Sequence, residues 1–428
     1  MRMRTTARLV ALIVTLSVAY VFAADWPQYY GPRRDATSTE KGLLRTWPKE
    51  GPRVLWTAPV GIGYGGPAVS GGKVYLLDRD DRVGDTLKCL DLATGKELWN
   101  FAYAAPARAD HPGSRSTPAV DGDRVYTCGL TGDLYCINTT THKPLWQKNV
   151  WKDFGGGGLP RWAITQNPLV YSNLLIVASQ APQAGVVAYD KLTGEVKWKT
   201  AALAGAVGYV SPSIVKVGAE DHLVMITAAQ GFGRNAGGGG VYGIDPASGK
   251  DLWKYTNWQC GIPVPHAVDA GEGRMLITGG YSAGSALIKV EKIAGGYGVK
   301  QLFKNPDFGA HTQPPILYND HFYAQYTINE RSDGLVCMGM DGKVRWRTGE
   351  NPPFVRGGMI LADGMLLATD GNTKAYLIEP GPTGFKPLAS AVLLERGENW
   401  APLALADGKL LIRDQKNLKC LVVAEQTR

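Results

Sequence analysis

Asp91-Leu92-Ala93-Thr94-Gly95-Lys96-Glu97-Leu98-Trp99 is the most telling stretch of this chain, because it returns. Copies run Asp190-Lys191-Leu192-Thr193-Gly194-Glu195-Val196-Lys197-Trp198 and Asp245-Pro246-Ala247-Ser248-Gly249-Lys250-Asp251-Leu252-Trp253. A weaker copy is Asn138-Thr139-Thr140-Thr141-His142-Lys143-Pro144-Leu145-Trp146. Each reads as a strand end, a tight turn and a second strand. Asp or Asn bonds its own backbone, Gly takes positive φ, and Trp supplies a large apolar surface.

Three further short runs precede each copy. In the first unit they are Ala68-Val69 after Gly66-Pro67, then Lys73-Val74-Tyr75-Leu76-Leu77, then Leu87-Lys88-Cys89-Leu90. The same order starts again at Pro118, Pro168 and Pro212. Four short β runs bounded by turn residues are the composition of one propeller blade. Later units drift: one opens at Pro265 and ends near Phe303, one runs from Pro314 to Trp346, and one runs from Met359 to about Leu393 without a Trp. The last, from Pro402, stops one strand short, while Val54-Leu55-Trp56-Thr57-Ala58 is a closing strand with no unit in front of it. Joining the two seals a ring and leaves no open edge. The closing positions Trp56, Trp99, Trp146, Trp198, Trp253, Phe303, Trp346 and Leu393 are 43 to 55 residues apart. The expectation is all-β: an eight-bladed β-propeller of four-stranded antiparallel blades, its ring closed by the N-terminal strand joining the C-terminal blade. Seven blades is the fallback if the Trp-less unit is misread. Trp56, Trp99, Trp146, Trp198, Trp253 and Trp346 are assigned to structural docking.

Composition agrees with many short strands. Of 428 residues, 44% are apolar and 20% charged, with 54 Gly and 26 Pro, a globular mixture rich in turns. Arg2, Arg4 and Arg8 precede an apolar run from Leu9 to Phe22, the pattern of a secretory signal peptide. The chain therefore divides into a signal at 1–23, an arm at 24–53 and a propeller at 54–428. No Cys directly follows the apolar run, and Arg2 and Arg4 ahead of it are split by Met3, so neither a lipoprotein nor a twin-arginine signal is expected. Export to the periplasm or the cell exterior follows, with no integral membrane segment after cleavage. Losing residues 1–23 removes three Arg and no acid, which takes the formal charge from +8 to +5. With no dense Lys/Arg run, nucleic acid is not an expected partner. In the arm, Trp26 and Tyr29 are expected to pack on the body. Cys89, Cys136, Cys337 and Cys420 share one repeat position and read as small buried residues, while Cys128 and Cys136 flank a turn where a bridge is the minority reading.

The repeats resemble those of the pyrroloquinoline-quinone (PQQ) propellers, whose blades carry Ala/Asp-x-x-Thr/Ser-Gly-x-x-x-Trp. The motif is matched at Asp91–Trp99, Asp190–Trp198 and Asp245–Trp253, and the opening Trp26-Pro27-Gln28 is similar to that of secreted PQQ-like proteins. The resemblance is greatest to compact PQQ-like and BamB-like members. It implies one of two functions, which the fold does not separate. One is a binding or scaffold propeller for an envelope protein or an anionic ligand, such as an acidic polysaccharide, without cofactor. The other is a PQQ- and calcium-dependent dehydrogenase of alcohols or sugars. The dehydrogenases' adjacent cysteine pair is missing here and blade spacings are short. The binding reading is therefore preferred, and no catalytic residue is assigned.

Innermost strands line a propeller's channel, so residues just before each opening Pro should ring one mouth. The ligand-binding candidates are Tyr64, Arg115, Trp162, Gln166, Tyr209, Trp258, His311, Arg356 and Trp400, with Gln313, Arg108, His111, Arg161 and Arg234 nearby. Arg and His with aromatic faces suit a planar anion such as PQQ, an acidic sugar or a peptide carboxylate. A weaker third reading is a carbohydrate-binding or carbohydrate-cleaving propeller that uses the rim acids Asp110, Asp307 and Glu398. His111, His266 and His311 lack metal-ligand spacing, so no metal site is assigned.

Overall fold

The computed structural model describes residues 25–230, 237–328 and 331–425, so the signal segment and Arg234 lie outside the described residues. Eight four-stranded antiparallel sheets follow one another around a ring. Seven are continuous in sequence, at 68–104, 119–149, 169–199, 213–255, 268–305, 316–347 and 359–392. The eighth combines Ala404–Ala406, Lys409–Arg413 and Asn417–Val422 with Val54–Pro59, and Trp56 pairs with Cys420. The expected eight blades and their closure by both ends of the chain are what the structure has. Short first strands of neighbouring blades lie side by side and form the inner wall.

The repeated stretch folds as its residues dictate. Asp91 Oδ1 accepts bonds from the Thr94 backbone N–H and hydroxyl, and Gly95 N–H closes the turn on Asp91 O at φ +71°. In the copies Asp190, Asp245 and Asn138 Oδ1 each accept from the backbone N–H groups two and three residues on, and the residue four on closes the turn. Each turn seats the tryptophan of the preceding blade. Trp56 donates to Leu92 O (2.9 Å), Trp146 to Lys191 O (3.3 Å) and Trp198 to Pro246 O (3.2 Å). A methyl built on Gly95, Gly194 or Gly249 would strike the corresponding indole at 2.5, 2.7 and 2.5 Å. In the weak copy His142 occupies the glycine's place at φ +60° and stacks on Trp99, centroids 4.6 Å apart. Trp253 departs from this, bonding His222 Nδ1 of its own blade at 2.9 Å.

Register corrects one position. Cys89, Cys136, Cys337 and Cys420 lie opposite Trp99, Trp146, Trp346 and Trp56, so the recurrent Cys is the small residue beneath the ring. In the seventh blade the residue opposite Leu377 is Ala389, not Leu393. Leu393 falls beyond the strand Pro387–Val392 and is buried in the core instead. Cys128 faces Leu134 and Cys136 faces Tyr126, so those two cysteines are not cross-strand partners. Both are buried and free.

Residues 25–44 form a strap that meets all eight blades in turn. Trp26 pairs with Val69, and Pro27 O accepts from Val120 N–H. The Arg34 guanidinium donates to Pro168 O (3.1 Å), Asn167 O and Pro212 O (both 3.4 Å). His266 Nε2 donates to Arg34 O at 2.9 Å, and Tyr30 bonds Gln313. Ala36 and Ser38 pair with Leu361, and Leu44 N–H reaches Val423 O. The strap crosses the channel, with Tyr29 lining the cavity at one mouth and Arg33 and Arg34 lining the cleft at the other.

Candidate ligand-binding site

The mouth above Tyr29 is a cavity of about 280 Å³ built from the connections that enter the innermost strands. Tyr64, Arg115, Trp162, Tyr209, His311, Arg356 and Trp400 all line it, joined by His111, Arg161, Gln313 and Asp110. Two of the expected residues do not. Gln166 is buried in the wall, where it donates to Val210 O (3.0 Å) and accepts from Ala178 N–H (3.1 Å). Thr165, one residue earlier, lines the cavity in its place. Counting three residues back from the opening Pro gives Tyr64, Arg115, Thr165, Tyr209, Ile262 and His311, all in the lining; Gln166 is two back and bonded into the wall, whereas Trp400, also two back from its Pro402, does line the cavity. Trp258 is core, with its indole N–H on Ala283 O at 3.1 Å. Arg108 lines a separate cleft beside Asp78 and Arg82, and Asp307 is exposed away from the cavity. His266 bonds the strap and lines the cleft at the other mouth, so the three histidines do not converge.

The sequence reading missed Tyr281, Ile262 and Val264, which enter from the loops around the fifth blade. Tyr281 sits in a turn at φ +53° with its ring edge-on to His311, centroids 4.3 Å apart. No repeat position marks it.

Two aromatic walls face the cavity. Tyr64, His111 and Trp400 form one, with centroids 5.3 to 5.6 Å apart. Trp162 stacked on Tyr209 at 5.6 Å forms the other. Each wall carries a guanidinium, Arg356 over Trp400 (4.5 Å) and Arg115 over Tyr209 (5.9 Å). The two cations differ in what they have left to offer. Arg115 is fixed by Trp162 O (2.7 Å) and His111 O, and burial pulls its pKa below the ordinary arginine value. Burial likewise pushes Tyr209 up to about 12. The Arg356 guanidinium has no hydrogen-bond or ion-pair partner among the described residues. Gln313, Asn167 and Thr312 are already bonded within the protein. Recognition therefore falls to Arg356 and to the ring faces.

Residues 83–259 match the family model described as outer membrane protein assembly factor BamB. The repeats of residues 83–259 are PQQ-like, and they sit within the eight-bladed propeller. It is similar to the outer membrane protein assembly factor BamB of Xanthomonas campestris pv. campestris, 30% identical over 142 residues, 32% of this chain and 31% of that protein. It is also similar to the quinoprotein alcohol dehydrogenase PedH of Pseudomonas putida, 29% identical over 150 residues, 34% of this chain and 24% of that one. The PQQ-like propeller thus spans less than a third of the length of either relative. Among solved structures, the quinohemoprotein alcohol dehydrogenase of Comamonas testosteroni superposes with a TM-score of 0.63, covering 95% of this chain and 81% of that one. At 13% identity that likeness is one of fold.

PQQ with calcium is the cofactor that such relatives suggest, and the donor set meets it halfway. Arg356, Arg115 and the ring faces suit a flat carboxylate. Calcium takes six to eight oxygens, mostly from carboxylates and carbonyls. Asp110 is the one carboxylate residue of the lining and lies 3.4 Å from Arg161. Among the described residues no three His, Cys, Asp or Glu gather as a metal site. The lining does not fit the calcium ion, and no oxidation step is derived through it. Among the described residues no helix is long and apolar enough to cross a membrane.

Proposed function

We propose that this PQQ-like propeller is an exported binding protein whose mouth takes an acidic ligand with a flat or ring-shaped apolar face. The observation that carries this is Arg356: its guanidinium is stacked on Trp400, has no hydrogen-bond or ion-pair partner among the described residues, and borders a cavity walled by aromatic rings. A stacked, partly desolvated arginine keeps its fork of donors for a carboxylate. An acidic sugar, an aromatic carboxylate or PQQ itself has that chemistry. The relatives' names favour a second reading, a PQQ-dependent dehydrogenase.

One experiment separates the two. The purified chain is titrated with PQQ, with and without calcium, while ligand absorbance and dye-linked alcohol oxidation are followed. The binding reading expects uptake that does not depend on calcium and no turnover. Calcium-dependent uptake with turnover would replace it by the dehydrogenase reading.

A further inference from the structure

The acidic-ligand reading leaves three groups of the mouth without a task. The Tyr64 hydroxyl donates to Glu398 Oε2 at 2.7 Å, and His111 Nδ1 lies 3.5 Å from that same oxygen. The Tyr64 and His111 rings meet edge to face with centroids 5.6 Å apart, and both contact Trp400, on which Arg356 lies. One carboxylate oxygen thus lies within 2.7 and 3.5 Å of two proton-carrying side chains at the edge of the cavity, beside a guanidinium without a partner among the described residues. A base, an acid, a carboxylate bridging them and a cation for developing negative charge are the parts of a proton-transfer site.

We propose that this cluster catalyses β-elimination in uronate-containing glycans, a lyase activity that rests on the acidic-ligand reading. Arg356 holds the uronate carboxylate while the ring lies against the aromatic wall. His111 Nε2, its ring oriented by Glu398 at Nδ1, takes the proton from the carbon next to the carboxylate. The electron pair left behind forms a carbon–carbon double bond as the glycosidic oxygen leaves the neighbouring carbon. Tyr64 gives its hydroxyl proton to that oxygen. The Nδ1 proton of the imidazolium then passes through Glu398 to the phenolate, and His111, 43% exposed, regains its starting tautomer by proton exchange with water. One glycosidic bond becomes an unsaturated acid and an alcohol, with no water, oxidant or other reactant consumed. Burial, followed by Glu398, holds Tyr64 protonated at rest, whereas the nearby charges of Arg115 and Arg356 act in the opposite sense and ease the transient phenolate. The same arginines neutralise the enediolate that forms when the proton leaves.

A uronate residue is the substrate class because it unites the three features that this wall presents: an acid group, a ring with an apolar C–H face and a leaving oxygen one carbon removed from the acidic C–H. Tyr64 and His111 are the catalytic residues in this scheme. Glu398 is a positioning residue.

The test incubates the full chain with polygalacturonate, alginate and a glucuronate-containing glycan. Ultraviolet absorbance of the conjugated product is recorded beside tryptophan fluorescence as a measure of binding. The proposal expects absorbance to grow with at least one substrate. Tyr64→Phe and His111→Ala should each slow that growth by about 10²-fold or more while the fluorescence titration and melting temperature stay near wild type. Glu398→Gln should lower kcat with little change in KM, a split that a merely structural loss would not give. Binding of these glycans without any new absorbance would overturn the lyase activity and leave the acidic-ligand reading standing. Failure to bind any of them would overturn the lyase and remove uronates from that reading as well. Turnover that survives both Tyr64→Phe and His111→Ala would overturn the assignment of this cluster.

Discussion

His266 shows how a single residue couples the strap to the ring. Its Nε2 must donate, since Arg34 O only accepts, so Nδ1 is a bare, buried acceptor with no partner among the described residues. Burial, and then the Arg34 charge, depress its pKa from 6.5 to about 3. The unfolded chain therefore binds a proton that the folded chain refuses between those values. The stabilising contribution is fully present above about pH 6.5 and is lost as pH falls toward 3, at up to about 1.4 kcal/mol per pH unit. Urea unfolding from pH 7 to pH 4 should show a steeper loss of stability in wild type than in His266→Gln, by one proton. Parallel slopes would contradict this. The residue scale is also where the sequence was least legible. Tyr64, Arg115 and Arg356 could be found by counting back from the innermost strands, but Gln166 and Trp258 could not be excluded that way. Position before the opening Pro does not fix a side chain's direction, since Gln166 and Trp400 both stand two back and only Trp400 lines the cavity. Tyr281 comes from a turn that no repeat encodes.

At the scale of the element, the tryptophan turn does more than end a strand. In the three full copies it welds one blade to the next, because Gly95, Gly194 and Gly249 leave the space that the preceding blade's indole occupies. Two costs can be separated experimentally. Gly122 has φ +59° with open space around it, so Gly122→Ala tests backbone strain alone. Gly194 has φ +74° and lies under the Trp146 ring. Gly194→Ala should cost about 1–3 kcal/mol beyond the control, as overpacking does, read from denaturant midpoints. Equal losses would mean that the indole moves aside freely. The motif made six of these docking positions visible in sequence as tryptophans. It failed in the seventh blade because Ala389 carries no aromatic signal.

For the whole molecule, both ends of the chain serve closure. Val54–Pro59 completes the last blade, and the strap before it ties all eight blades across one opening. The repeats made the ring legible, since a spare strand at one end matched a missing one at the other. The route of residues 25–44 was not legible, because an aperiodic, proline-punctuated segment carries no pattern that names its partners. The strap has a functional consequence: it places Tyr29 in the lining of the cavity at this mouth. A ligand held there meets Arg356, Arg115 and two aromatic walls. The central claim is that Arg356 is the carboxylate anchor of this mouth. Its most direct test is calorimetric titration of acidic ring ligands, PQQ and a galacturonate oligomer, into wild type and Arg356→Ala. The account predicts binding of at least one ligand by wild type, about tenfold or more weaker in Arg356→Ala at an unchanged melting temperature. Equal affinity in the two proteins, or no binding of either ligand by wild type, would contradict it.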